Sequence, residues 1–130
     1  MPIEPSEKLS CFILQSNWIR ASDNTAKPAA FLPNPQNRET SVFRTSGISE
    51  QDTWETGDRE VADRRGKPIL GRADILVRDI LSKHLQINPS EPPPRHANIT
   101  GWPDEKSKQL QIAVELAADA SYYARPTTTL

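Results

Sequence analysis

Apolar and polar positions along this chain alternate with two different periods, and the changes of period mark its elements. Residues 9–15, LSCFILQ, are apolar and β-compatible and predict a strand. The stretch SNWIRASDNTAKPAAFLPNPQN reads as a loop, punctuated by Asp23-Asn24 and three prolines, with Trp18, Ile19, Phe31 and Leu32 pinning it to the core. RETSVFRT, with β-branched and aromatic residues at its centre, predicts a second strand.

GISEQDTWETGDREVADRRGKP is the clearest helix. Ser49 sits at the N-cap and Asp52 three residues later makes a shortened capping box. Acidic residues crowd the first turns and Arg64-Arg65 the last, matching the helix dipole. Gly66 and Pro68 supply the stop. The buried face is Trp54, Gly57 and Val61. Gly57 costs about 1 kcal/mol relative to alanine in mid-helix, and close approach by a neighbouring element explains it.

PILGRADILV predicts a strand, with Arg72 and Asp74 on one side and Gly71, Ala73 and Ile75 on the other. A helical turn in LVRDILSKH competes for its end. LQIN predicts a short strand before the connector Pro89–Pro94, and RHANIT alternates again, with His96, Asn98 and Thr100 sharing a face. The last helix is expected from Asp104 to about Ala124. Its core stripe is Leu110, Ala113, Val114, Ala117 and Ala120, widened by Ile112 and Leu116, with Lys108, Gln111, Glu115 and Asp119 in water. The sum is one α+β domain over residues 1–130, a short, mostly antiparallel sheet of four to five strands packed by two to three helices. Residues 1–8 and 125–130 are expected to be frayed ends.

Composition narrows the function classes. At 130 residues the chain can bury one core without staples. Sixteen Lys+Arg against seventeen Asp+Glu give a net charge of −1, so no global field draws in nucleic acid, and that reading ranks last. One cysteine, Cys11, excludes an intramolecular disulfide and fits a reducing compartment. The N-terminus lacks the basic start and long apolar core of a secretory signal. No stretch approaches the roughly 18 apolar residues of a membrane helix. The expected location is the cytoplasm, without membrane attachment.

The candidate chemistry gathers on the alternating strands. His96 can take or give a proton near neutrality, and Asp74 is placed to orient it. Arg44, Arg72 and Arg95, with Asn98, are candidate ligands for a nucleotide-like anion. Against this stands the bland reading: a polar strand face is usually the wet side of a half-covered sheet, and Arg72 with Asp74, or with an acidic residue of the first helix, makes a structural ion pair. Cys11, between apolar neighbours, reads as a buried inert thiol. His84, His96 and Cys11 match no zinc spacing, no glycine-rich phosphate loop occurs, and no serine sits in a nucleophile elbow. No metal or cofactor is expected. Trp102, between Gly101 and Pro103, reads as a plug for a strand-to-helix corner, with partner contact as its alternative role.

ETSVFR, GISEQDTWETG, GRADI and PRHANITGWPDEKSKQLQIAVELA, in this order over about residues 31–120, resemble a group of small bacterial proteins of uncharacterised function. The resemblance implies a compact bacterial cytoplasmic protein and brings no activity, cofactor or catalytic residue. The leading expectation is therefore a non-enzymatic accessory or interaction protein within a multi-protein system, with another protein as partner. The alternative is a small enzyme or binder of an anionic ligand using His96 with Arg44 and Arg72.

Overall fold

The computed structural model describes residues 2–126, so the expected fraying of 127–130 falls outside the described residues. In chain order the elements are β1 (Lys8–Ile13), β2 (Ile19–Arg20), β3 (Thr25–Ala26), β4 (Thr40–Arg44), α1 (Glu50–Gly57), α2 (Asp63–Arg65), β5 (Gly71–Leu76), α3 (Val77–Leu81), β6 (Gln86–Pro89), β7 (His96–Thr100), α4 (Lys106–Asp119) and β8 (Ser121–Ala124). A π-helical segment, Asp58–Ala62, joins α1 to α2 in one rod. The α+β expectation holds. The main sheet has six antiparallel strands in the order β6-β7-β4-β1-β5-β8, one more than expected, and β2 and β3 form a separate small hairpin.

The extra strand corrects the last helix. Alanine-rich sequence predicts helix through Ala124, yet α4 stops at Asp119 and Ala120 turns extended. Tyr122 and Tyr123 then pair with Ala73 and Arg72, completing the open edge of β5. Ladder hydrogen bonds and aromatic packing on a sheet outweigh alanine's helix preference. The same helix is also rotated from the expected stripe. Ala113 and Leu116 are fully buried and Ile112, Ala117 and Ala120 pack beside them, whereas Leu110 and Val114 are each 49% exposed.

Strand alternation divides the core between the two sheet faces. Leu9, Cys11, Ile13, Val42, Ala73, Ile75, Ala97 and Ile99 face α4 and the 14–39 connection and form the main core. Phe12, Phe43, Trp54 and Ile69 form a smaller cluster on the other face, beneath the α1–α2 rod. β1 is central and buried on both sides, which is why its sequence reads as a nearly continuous apolar run. At one outer edge Pro89 cannot donate to a further strand, which blunts β6.

Local signals hold at the first helix. The Ser49 side chain accepts from the Asp52 N–H at 3.0 Å, and Gly66 closes the rod in the left-handed conformation at φ 65°. The stretches flanking the sheet are hydrogen-bonded to it: Val77 and Arg78 donate to the carbonyls of Glu7 and Pro5, and Arg125 donates to that of Leu70. No helix among the described residues is long and apolar enough to cross a membrane.

Gly57 marks the contact between rod and sheet. A Cβ there would sit 2.7 and 2.8 Å from Cε1 and Cδ1 of the Phe12 ring, which is itself buried. Gly57→Ala is therefore expected to destabilise the protein by about 1–3 kcal/mol from overpacking, despite alanine's helix advantage of about 1 kcal/mol. Urea denaturation of Gly57→Ala alone and combined with Phe12→Leu measures this, with the smaller side chain relieving most of the loss.

Candidate functional site

All the strand-borne candidates except Arg44 stand on one face of the sheet, the one carrying the rod, and Arg95, expected on the same strand as His96, lies in the turn just before β7. Register aligns His96 with Phe43, Phe43 with Ser10, and Ser10 with Asp74 across β7, β4, β1 and β5. Arg72, two residues from Asp74, shares that face. His96 and Arg72 lie three strands apart, roughly 14 Å at the usual strand spacing, with the rings of Phe43 and Phe12 between their strands. Same-face placement thus does not bring them into one site.

Arg72 is the centre of a buried polar network. Its side chain is 1% exposed. Nε donates to both Asp74 carboxylate oxygens at 3.1 Å, and the two terminal nitrogens donate to Glu50 at 3.1 and 2.7 Å. The guanidinium also lies against the rings of Trp54, at 4.7 Å, and Tyr123, at 4.8 Å. Asp74 accepts from Ser10 Oγ at 2.5 Å and faces Lys8 Nζ at 3.7 Å. Because Ser10 gives its hydroxyl proton to Asp74, the 2.7 Å contact with Thr45 has Thr45 as donor. Arg125 extends the cluster, clamping Asp58 through two bonds and lying 5.2 Å from the Trp54 ring.

The remaining arginines are engaged elsewhere. Arg44 alternates with Phe43, leaves on the opposite face and pairs with Glu7 at 2.5 Å. Arg95 is exposed, has φ 69° and donates to the Arg44 carbonyl at 3.3 Å. Cys11 is buried, donates to the Ala30 carbonyl at 3.1 Å, and burial pushes its thiol up to about 12. Trp102 is 5% exposed and packs into the main core, and its Nε1 is a buried donor with no acceptor among the described residues. It lines a cleft of about 410 Å³ between the 36–39 loop and the end of β7, which contains neither His96 nor Arg72. Among the described residues no group of His, Cys, Asp and Glu could hold a metal ion.

His96 lies on the half of the face that the rod leaves open. Its Nδ1 is 3.0 Å from the Ser90 carbonyl, which can only accept, so the neutral ring carries its proton on Nδ1. Nε2 is then the acceptor for the hydroxyl of Ser41, 2.7 Å away and exposed. The Phe43 ring meets the imidazole edge-on at 5.3 Å. Asn98 stands directly opposite Ser41, and its side chain makes no hydrogen bond among the described residues. The expected pairing of Arg72 with Asp74 or an acidic residue of the first helix is met by both Asp74 and Glu50, whereas Ser41 and the Trp54–Arg72–Tyr123 contacts were not anticipated. The parity of Ser41 with Phe43 was visible, but its pairing with β7 was not.

In comparisons with known proteins the chain matches no family model, no curated protein and no solved structure.

Two outcomes follow from the arginine network. Arg72→Ala leaves Asp74 buried beside an empty fork and is expected to cost about 3–5 kcal/mol, whereas neutralising the exposed partner in Glu50→Gln costs about 1 kcal/mol or less. Arg72→Lys, which keeps the charge but loses the planar fork, restores only a minor part of the loss in urea titrations. Acid sensitivity is the second outcome. Hydrogen bonds from Arg44, Arg72 and Arg125 hold the carboxyls of Glu7, Glu50 and Asp58 below their ordinary values of 4.5, 4.5 and 3.8. The unfolded chain takes up protons at those ordinary values while the folded chain still refuses them. Stability is thus complete above pH 4.5 and falls as pH drops towards the depressed folded values. Denaturation midpoints measured across this range check the sign, and Glu50→Gln flattens the dependence.

Proposed function

We propose that this chain is a small accessory protein that acts by association, and that the outer arc of α4 is its docking surface, occupied by a second copy of the chain. The observation that carries this reading is the exposure of Leu110 and Val114, one turn apart on that helix. Ser107, Gln111 and Ala118 complete the arc, and all five residues are exposed. The anion-clamp alternative would require Arg72 to release Glu50 and Asp74.

Charge placement on α4 selects the occupant. Lys106 and Lys108 lie in the first turn and Asp119 in the last, the reverse of what the helix dipole favours. A second copy laid antiparallel, crossing near residue 112, corrects this. It sets Leu110 against Val114 of the other copy, Ser107 against Ala118, and Lys108 against Glu115, which makes no ion pair among the described residues. The match is isologous, as a twofold dimer requires. Among the described residues Lys108 is otherwise held only by exposed Glu105 at 3.8 Å, a contact of little energetic consequence.

Light scattering across a concentration series tests the proposal. A mass rising from 14.6 kDa towards twice that value is expected. Leu110→Glu with Val114→Glu abolishes the rise while leaving the far-UV circular dichroism spectrum unchanged. Lys108→Glu weakens association on the order of tenfold, and adding Glu115→Lys restores it. A strictly monomeric wild type, or a double glutamate variant that associates like the wild type, overturns the reading.

A further inference from the structure

We infer that Ser41 is an activated nucleophile, with His96 as its general base, on a hydrolytic or acyl-transfer site for small neutral esters. The inference is independent of association through α4, which lies on the opposite side of the sheet. It rests on three parts that such chemistry needs in one place. The nucleophile and base are in contact, with Ser41 Oγ 2.7 Å from Nε2. The base is oriented by a third group, because the Ser90 carbonyl accepts from Nδ1–H and so keeps the Nε2 lone pair on the serine. The Phe43 ring packed edge-on further restrains the imidazole plane.

The third part is a donor for the developing oxyanion. Ser41 and Asn98 are direct cross-strand partners on the same face, a relation that places their Cβ atoms about 4.5–5.5 Å apart. The Asn98 amide has no other hydrogen bond among the described residues, so its N–H groups are available to a carbonyl oxygen bound at Ser41. Asn88 follows in the same row and is held by Thr100 through Nδ2 at 3.3 Å. The shelf of Ser41, His96, Asn98, Asn88 and Thr100 carries no formal charge when the imidazole is neutral, which suits an uncharged substrate. It is open to solvent at Ser41, so an ester can approach without a conformational change.

The chemistry closes on itself. Nε2 takes the Ser41 hydroxyl proton as Oγ attacks the ester carbonyl, and the oxyanion forms beside Asn98. The carbonyl re-forms, the C–O bond to the alcohol breaks, and the imidazolium gives its proton to the departing alkoxide. Water then attacks the acyl-serine with His96 again as base. Carboxylic acid is released, and Ser41 and the neutral ring are regenerated.

A fluorophosphonate probe, with p-nitrophenyl acetate as the acyl donor, tests this on the intact chain. Peptide mass spectrometry is expected to find the adduct on Ser41 of the wild type. Ser41→Ala, at an exposed position, abolishes it, and circular dichroism confirms the variant is folded. His96→Ala slows acylation on the order of 100-fold by removing the general base. Asn98→Ala slows it tenfold or more while leaving the adduct on Ser41. Absence of any adduct on the wild type overturns the inference. So does an adduct at another residue, or an unchanged rate in folded His96→Ala protein.

Discussion

The fold depends on the burial of one positive charge. Arg72 lies in the middle of β5, almost fully enclosed, and a guanidinium cannot be neutralised to suit such a site. Everything around it answers that constraint. Asp74 and Glu50 take its two hydrogen-bonding edges, and the rings of Trp54 and Tyr123 lie within cation–π distance. These four residues come from β5, α1 and β8. The arginine therefore ties the helical rod and the last strand to the sheet with one set of directional contacts. Planarity makes this possible, since a flat guanidinium can be stacked and bonded at the same time.

The same interaction assigns the two halves of this sheet face different roles. Where the rod covers β1, β5 and β8, polar groups are locked into the Thr45–Ser10–Asp74–Arg72–Glu50 chain or replaced by aromatic packing. Towards β7 the polar side chains of Ser41, His96 and Asn98 remain accessible or half-buried, while Phe43 of β4 still packs in the Trp54 cluster. The apolar face needs no such division, because α4 and the long connection cover it. The outward arc of α4 then becomes a separate surface, on the far side from His96. Association through α4 and chemistry at Ser41 would not compete for space.

Much of the backbone was legible because its signals are local. Ser49 and Gly66 define the rod's ends through caps that need no distant partner. The alternation in GRADI and HANIT identifies strands, and the corner at Trp102 and the inert setting of Cys11 follow from immediate neighbours. Where a segment's state depended on a remote partner, local reading failed. Ser121–Ala124 looked helical by alanine content and became a strand because the edge of β5 was open. Leu110 and Val114 looked like core because seven apolar residues crowd α4, yet the sheet contacts only part of its circumference.

Relations within an element could be read from the residues alone: caps, strand parity, and the sharing of one face by Arg72 with Asp74 and by His96 with Asn98. These are consequences of backbone geometry at a separation of a few residues. The packed fold was needed to show that Arg72 is matched by Glu50 rather than by a ligand. It alone decided that His96 lies three strands from Arg72 and that its hydrogen-bonding partner is Ser41, fifty-five positions away. Strand order and register are set by how the whole chain buries its apolar surface, and that quantity is not contained in any one segment.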